Sequence, residues 1–461
     1  MEGRAGRGMG PLEGKTMGTS DPGSVSTRLQ RIAKLARQSP EMGFTSLNHL
    51  FDLELLREAF RRTRKDGAVG VDRQTAAQYA EDLEGNLRSL LERFKSGAYR
   101  APPVRRVHIP KDDGRTRPLG IPTFEDKVLQ RAVAMVLEPI YEQDFLNCSF
   151  GFRPGRSAHH ALRMVRERLM PMQGGWVLDV DIQGYFDALD HAHLREFVGR
   201  RVRDGVVRRT IHKWLKAGVL EEGRLSRSSS GTPQGGVISP LLANIYLHEV
   251  LDTWFEEEVR PRLGGKAFLV RYADDFVLGF ERERDARRVL AVLHKRMAKY
   301  GLTLHPDKTR LVKFEHPWKG SGPKDPDQPQ GPTSFDLLGF TLYWGKTRKG
   351  GWAIKYKTSS KRFSRSLRRV RAWCRDNRHA PLPEQHRRLS AMVRGHCEYF
   401  GVPGNSRCLA AFAYEVVRAW QKWLGRRGGK KRMTWERFRQ VLERYPLPPP
   451  RVRYRMDWTR A

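Results

Sequence analysis

The sequence predicts an α/β core followed by a helical, strongly basic C-terminal quarter. Three observations carry that prediction. Up to about residue 315, short runs rich in β-branched and aromatic residues alternate with stretches at helical spacing. Beyond Gly350 the pattern turns helical over 360–376, 384–400, 406–425 and 434–444, and the Pro446–Pro450 stretch ends it. The charge is uneven as well. Residues 346–461 hold 31 basic and 7 acidic side chains, a net of +24 out of +35 for the 461-residue chain.

The elements follow in order. The first 26 residues carry Gly, Arg, Ser and Pro without an apolar run, which reads as a disordered basic leader, set at 1–40. Leu29, Ile32 and Leu35, then Leu50, Leu53, Leu56 and Phe60, give helical spacing over 27–65. Residues 75–96 form an amphipathic helix that stops at Gly97. Pro102-Pro103 opens an extended stretch in which Val104–Ile109 alternates like a strand, and Asp113-Gly114 marks a hairpin tip. Helices are expected over 124–141 and 157–169, the second with Ser157 as N-cap. Glu315–Pro332, rich in Pro, Gly, Lys and Asp, reads as a surface loop. The expected division is the leader, an α/β region over 41–345 and a helical region over 346–461.

The chemistry concentrates in two acidic segments. Tyr272-Ala273-Asp274-Asp275 sits between apolar runs, so it reads as two short strands with both carboxylates at their turn. Holding adjacent anions at such a tip is unfavourable unless a cation binds there. Mg²⁺ suits the position, because it takes few carboxylates and completes its shell with water and phosphate. Upstream, Trp176–Ile182 alternates like a strand, with Asp181 at its end and a turn at Gly184. Carboxylates from two strands can converge on one metal pair suited to phosphoryl transfer. Lys111 and Arg117 flank the expected hairpin turn, where two cations can clamp a triphosphate. The Gly231-Thr-Pro-Gln234-Gly-Gly236 run offers a side-chain-poor approach to a nucleic-acid backbone.

Together, the Tyr272–Asp275 tetrad, Asp181 with Phe186, and the run Gly231–Asn244 resemble reverse transcriptases. They are most similar to the bacterial group II intron-encoded reverse transcriptase/maturase, over roughly residues 45–455. That resemblance implies a right-hand polymerase: α/β fingers and palm over 41–345, then an all-helical thumb and maturase domain. It implies RNA-directed DNA synthesis with Mg²⁺ held by Asp181, Asp274, Asp275 and the Ile182 carbonyl. Lys111 and Arg117 would grip the incoming dNTP, and Gln234 would lie beside the template. Phe186 would pack under the nucleotide sugar and exclude a 2′-hydroxyl. Lys308, in Gly301–Thr309, would neutralise or protonate the departing pyrophosphate. Phe335–Phe340 looks like the strand pair that grips the primer end. The implied partners are an RNA template with a DNA primer, dNTPs, a group II intron RNA and target DNA. The alternatives are a free-standing reverse transcriptase used in defence or repair, and a non-catalytic RNA-binding splicing factor.

Composition narrows the setting. Basic charge interleaved with six of the eleven tryptophans suits a folded nucleic-acid-binding region in the last quarter. Four cysteines without a Cys-x-x-Cys pair argue against a zinc ribbon and suit a reducing cytoplasm. No apolar run approaches the roughly 18 residues of a membrane span. No HNH nuclease constellation follows the helical region, so independent second-strand cleavage is not expected. The paired histidines His159-His160 read as structural.

Overall fold

Capping side chains set many of the helix starts. The computed structural model describes residues 24–110, 116–221, 224–226, 231, 235–317, 334–428 and 433–454. In chain order its helices begin with α1 (Val25–Gln38), α2 (Leu53–Arg62), α3 (Ala76–Glu81) and α4 (Leu83–Ser96). The hairpin strands β1 (Val104–Pro110) and β2 (Thr116–Ile121) precede α5 (Phe124–Asp144), α6 (Ala158–Leu169), β3 (Trp176–Val180) and α7 (Tyr185–Ala188). Next come α8 (His191–Arg201), α9 (Gly205–Lys216), β4 (Val219–Glu221), β5 (Arg224–Ser226) and α10 (Ser239–Leu247). The palm-like part continues with β6 (Ala267–Tyr272), β7 (Asp275–Phe280), α11 (Glu283–Lys299) and β8 (Arg310–Lys313). Then β9 (Ser334–Leu337), β10 (Phe340–Lys346) and β11 (Trp352–Thr358) lead to α12 (Ser360–Asp376), α13 (Leu382–Phe400), α14 (Ser406–Leu424) and α15 (Trp435–Arg444).

The chain divides into two compact units. One comprises the described residues of Met1–Val107, Leu119–Phe145 and Leu194–Leu242; the other comprises those of His108–Pro118, Leu146–His193 and Ala243–Ala461.

In the first unit the middle of α5, from Val128 to Leu137, is buried at every position but Arg131, and α1 and α2 pack against the helix. Residues 25–38 therefore belong to the folded protein and not to the expected leader. Ser24 caps α1, and Val25, Ile32 and Ala36 form its buried stripe. Residues 1–23 lie outside the described residues. The helix expected over 75–96 is broken at Asp82, whose carboxylate caps α4 by accepting from Gly85 N–H at 3.1 Å. A capping box at Thr75 and Gln78 starts α3. Gly97 ends α4 at φ 78°, as the sequence predicts. Asp126, fully enclosed, accepts from Tyr99 OH, from Trp214 Nε1 at 2.6 Å and from Gln130 Nε2 at 3.2 Å. Gln130 Oε1 in turn accepts from Val237 N–H at 2.7 Å, which ties the trailing end of the Gly-rich run to α5.

In the second unit an antiparallel sheet has the order β6-β7-β3-β8. Helix α11 packs on β3 and β7, and α6 packs on β6. A second antiparallel sheet, β11-β10-β9, turns at Leu338-Gly339, both with positive φ. This is the strand pair expected around Phe335–Phe340. Strand β11 departs from the sequence expectation, in which the residues after Gly350 read as the start of the helical region. Val177, Val277, Phe340, Tyr356, Leu367, Trp420 and Phe438 share a single apolar core. The expected boundary between 345 and 346 thus crosses a continuous core. Among the described residues no helix is long and apolar enough to cross a membrane.

Candidate active site

Strand register brings the acidic segments together. Tyr272 pairs with Asp275 across the β6–β7 turn, so Ala273 and Asp274 form a two-residue tip. Ala273 adopts φ 58°, a left-handed conformation that costs a non-glycine residue about 1 kcal/mol or more. Val180 pairs with Phe276, so Asp181, the next residue on β3, lies level with Asp275 at the same end of the sheet. Asp179, two residues back, shares its face with Asp181.

Beyond Val180 the chain stays tied to the segment after α11. His305 N–H donates to the Asp181 carbonyl at 2.8 Å, and Gln183 N–H donates to the Thr303 carbonyl at 2.8 Å. Neither bond uses the Ile182 carbonyl, which lies between them. Gly184 at φ 57° then starts the short helix α7 with its buried Tyr185 and Phe186. Tyr185 OH donates to the Ala243 carbonyl at 2.5 Å.

Cations from the same unit surround the carboxylates. Lys308 Nζ pairs with Asp181 Oδ2 at 2.5 Å, and Arg310 pairs with Asp179 at 2.8 Å across the β3–β8 register. Desolvation raises Asp274, and the charge of Asp181 adds to it, while Arg117 and Lys308 pull it back. Desolvation, then Asp274, Asp181 and Asp179, push Asp275 up to about 7, opposed by Arg362 of α12. The Asp275 side chain nonetheless opens to solvent, which screens part of that repulsion. Such crowding of hard oxygen anions is relieved by a bound divalent cation. Among the described residues no group of three or more His, Cys, Asp or Glu side chains is arranged to hold a metal ion.

The structure therefore brings together Asp181, Ile182, Asp274, Asp275, Lys308 and Arg117. Phe186 is buried nearby in sequence on α7, with its ring 5.5 Å from that of Tyr185. Lys111 and Gln234 lie outside the described residues. The reading of His159 as structural fits its Nε2, 2.7 Å from the Tyr399 carbonyl, and its ring stacked 3.8 Å from Tyr454.

Sequence reading passes over three charged positions. Arg310 and Arg362 answer acids that are distant in sequence, so only the fold reveals them. Arg271 carries a signal that could have found it: an arginine inside the apolar strand Phe268-Leu-Val-Arg-Tyr272 must have a buried partner. Four arginines of α12, Arg362, Arg365, Arg368 and Arg369, line a groove of roughly 820 Å³ beside Leu338 and Tyr399. Arg371 instead pairs with Glu415 of α14 at 2.7 Å.

Comparison with known proteins agrees with this geometry. Residues 109–342 match the family model "Reverse transcriptase (RNA-dependent DNA polymerase)". Protein YkfC of Escherichia coli (strain K12) is 38% identical over 294 residues, which is 57% of this chain and 73% of YkfC. The group II intron-encoded protein LtrA of Lactococcus lactis subsp. cremoris is 39% identical over 229 residues, 48% of this chain but only 37% of LtrA. The Arabidopsis thaliana protein "Nuclear intron maturase 2, mitochondrial" is 33% identical over 175 residues, 30% of this chain and 24% of its own length. Members of the reverse transcriptase family use divalent metal ions. The chain belongs to the reverse transcriptase family, among the group II intron-encoded reverse transcriptases and maturases, and is an RNA-directed DNA polymerase.

Proposed function

We propose that this polymerase extends a DNA primer on an RNA template and also binds a group II intron RNA, promoting its splicing and its insertion into target DNA. The observation that carries the reading is the convergence of Asp181 with Asp274 and Asp275 at one end of a single sheet.

Asp181, Asp274 and the Ile182 carbonyl would hold Mg²⁺, with Asp275 supporting or joining them. Two such ions would stabilise the attacking 3′-oxygen and the leaving oxygen of the dNTP. Arg117, with Lys111, binds the triphosphate from the hairpin. Lys308 meets the charge that develops on the leaving pyrophosphate. Phe186 closes the space a 2′-hydroxyl would need, and Gln234 lies along the template. The arginine-lined groove of α12 neutralises phosphates of the bound nucleic acid. Splicing itself is RNA chemistry, to which the protein contributes charge and shape recognition. Three of the four free cysteines are buried, which suits a cytoplasmic protein.

The deciding experiment is primer extension on an RNA template by Asp274→Ala/Asp275→Ala. Synthesis should be lost while primer–template affinity is kept or rises slightly, because two anions leave the cleft. Substantial extension by the double variant would refute the site. Splicing of a cognate intron should survive the same change.

A further inference from the structure

Arg271 lies one residue before the catalytic tetrad's Tyr272 and is fully buried. Its guanidinium makes five hydrogen bonds. Nε donates to Asp252 Oδ1 at 2.8 Å, and Nη2 donates to Asp252 Oδ2 at 2.6 Å and to Ser149 Oγ at 2.8 Å. Nη1 donates to Asn244 Oδ1 and to the Ala273 carbonyl, both at 3.0 Å. Its backbone is held as well: Arg271 N–H donates to the Cys148 carbonyl at 2.8 Å, and Phe150 N–H donates to the Arg271 carbonyl at 2.9 Å. Asn244 Nδ2 donates to the Gly151 carbonyl at 2.7 Å. Gly151 approaches the tip so closely that a Cβ there would lie 2.3 Å from Ala273 N. Residues 148–151, 244–252 and 271–273 thus converge behind the acidic turn.

A buried charge pair seldom repays its own desolvation through attraction alone, so it is weak evidence for a purely stabilising role. Here the partner acid takes two of the five donors, and three go to other groups. One of those three fixes the carbonyl of the only left-handed residue in the tip. The planar fork supplies the rigid geometry that such a multi-point hold requires.

We infer that Arg271, oriented by Asp252 and Asn244, is a positioning residue: it locks the Ala273 turn and thereby aims Asp274 and Asp275 at the metal side of the cleft. The inference rests on the proposed role of those carboxylates. Arg271 does not touch substrate; it acts through the turn.

The test uses the full chain carrying Arg271→Lys or Asn244→Ala. Lysine keeps a charge for Asp252 but lacks the fork. Alanine at 244 keeps the ion pair and removes one acceptor of the fork and the donor to Gly151. Hydrogen exchange at residues 272–275 is followed in metal-free protein, and single-turnover primer extension is measured against dNTP and Mg²⁺ concentration. Exchange in the turn should quicken, and the half-saturating Mg²⁺ concentration should rise about 10- to 100-fold. The kcat should fall about 10²-fold, the effect of a small misplacement at a reacting centre. KM for dNTP and primer–template affinity should hold. A lower melting temperature with unchanged exchange, Mg²⁺ dependence and kcat would reduce Arg271 to core filling and overturn the inference. Should Arg271→Lys not fold, Asn244→Ala decides by the same criteria. Asp274→Ala runs alongside. If it still synthesises DNA, the reading of the site has failed; if it is inactive while both other variants match wild type, only the positioning role has failed.

Discussion

Lys308 Nζ sits 2.5 Å from Asp181 Oδ2, occupying the carboxylate that a divalent ion would take. On the proposed reading the lysine and the ion would compete in the resting site, and the lysine would assist once a triphosphate arrives. Lys308→Ala should lower the Mg²⁺ concentration needed for half-maximal synthesis, while slowing the chemical step by about 10²-fold. Single-turnover extension across an Mg²⁺ titration measures both. An unchanged rate would remove Lys308 from the chemistry.

The role proposed for Phe186 concerns sugar choice. Replacement by Val should raise ribonucleotide use relative to deoxyribonucleotide use by roughly 10- to 200-fold, the scale of one steric contact in a pocket. Competitive incorporation on a fixed template reads the ratio. A constant ratio in a variant that still polymerises would leave Phe186 as core packing alone.

Arg365, Arg368 and Arg369 line the groove of α12, whereas Arg371 is engaged by Glu415. Alanine at the first three together should flatten the salt dependence of nucleic-acid binding by about two units of log–log slope and depress intron splicing. Arg371→Ala should change the slope little. Filter binding over a salt series separates the two. Equal slopes for wild type and the triple variant would make the groove a solvated face.

Asp126 offers a pH test remote from the cleft. Desolvation pushes its carboxyl up to about 6, even though three side chains donate to it. A raised folded pKa means that the native state binds this proton more tightly than the unfolded chain does. The resulting stability is fully present below about pH 4 and is lost as pH rises to about 6, roughly 3 kcal/mol in all. Asp126→Asn does not titrate at this position, so across that interval it should lose roughly 3 kcal/mol less stability than wild type. Urea melts between pH 4 and 7 give the comparison, and parallel curves would contradict the assignment.

Much of this site is legible in the amino-acid sequence. The tetrad Tyr272–Asp275 and the acid at the end of β3 stand out, because carboxylates at strand ends conflict with the apolar runs around them. Helix limits such as Gly97 and Ser157 follow from local chemistry that needs no tertiary partner. What stays hidden depends on distant partners. The ion pairs of Lys308 with Asp181 and Arg310 with Asp179 span 127 and 131 residues. Strand β11 carries its own signal, Trp352, Ile354, Tyr356 and Thr358 alternating with Ala353, Lys355 and Lys357, which the helical reading of the region after Gly350 passes over. The helical spacing of Leu29, Ile32 and Leu35 marks α1, but the packing against α5 that takes it out of the leader shows only in the fold.

The enclosed pair of Arg271 and Asp252, 19 residues apart, also constrains how the protein can change over generations. A substitution that removes the charge at either position strands a bare ion in a dry interior, where loss of one partner is far worse than loss of both. The two positions form one heritable unit that cannot drift singly. A lineage abandoning one would have to abandon the other almost at once, and would have to find a new anchor for Ala273 in the same step.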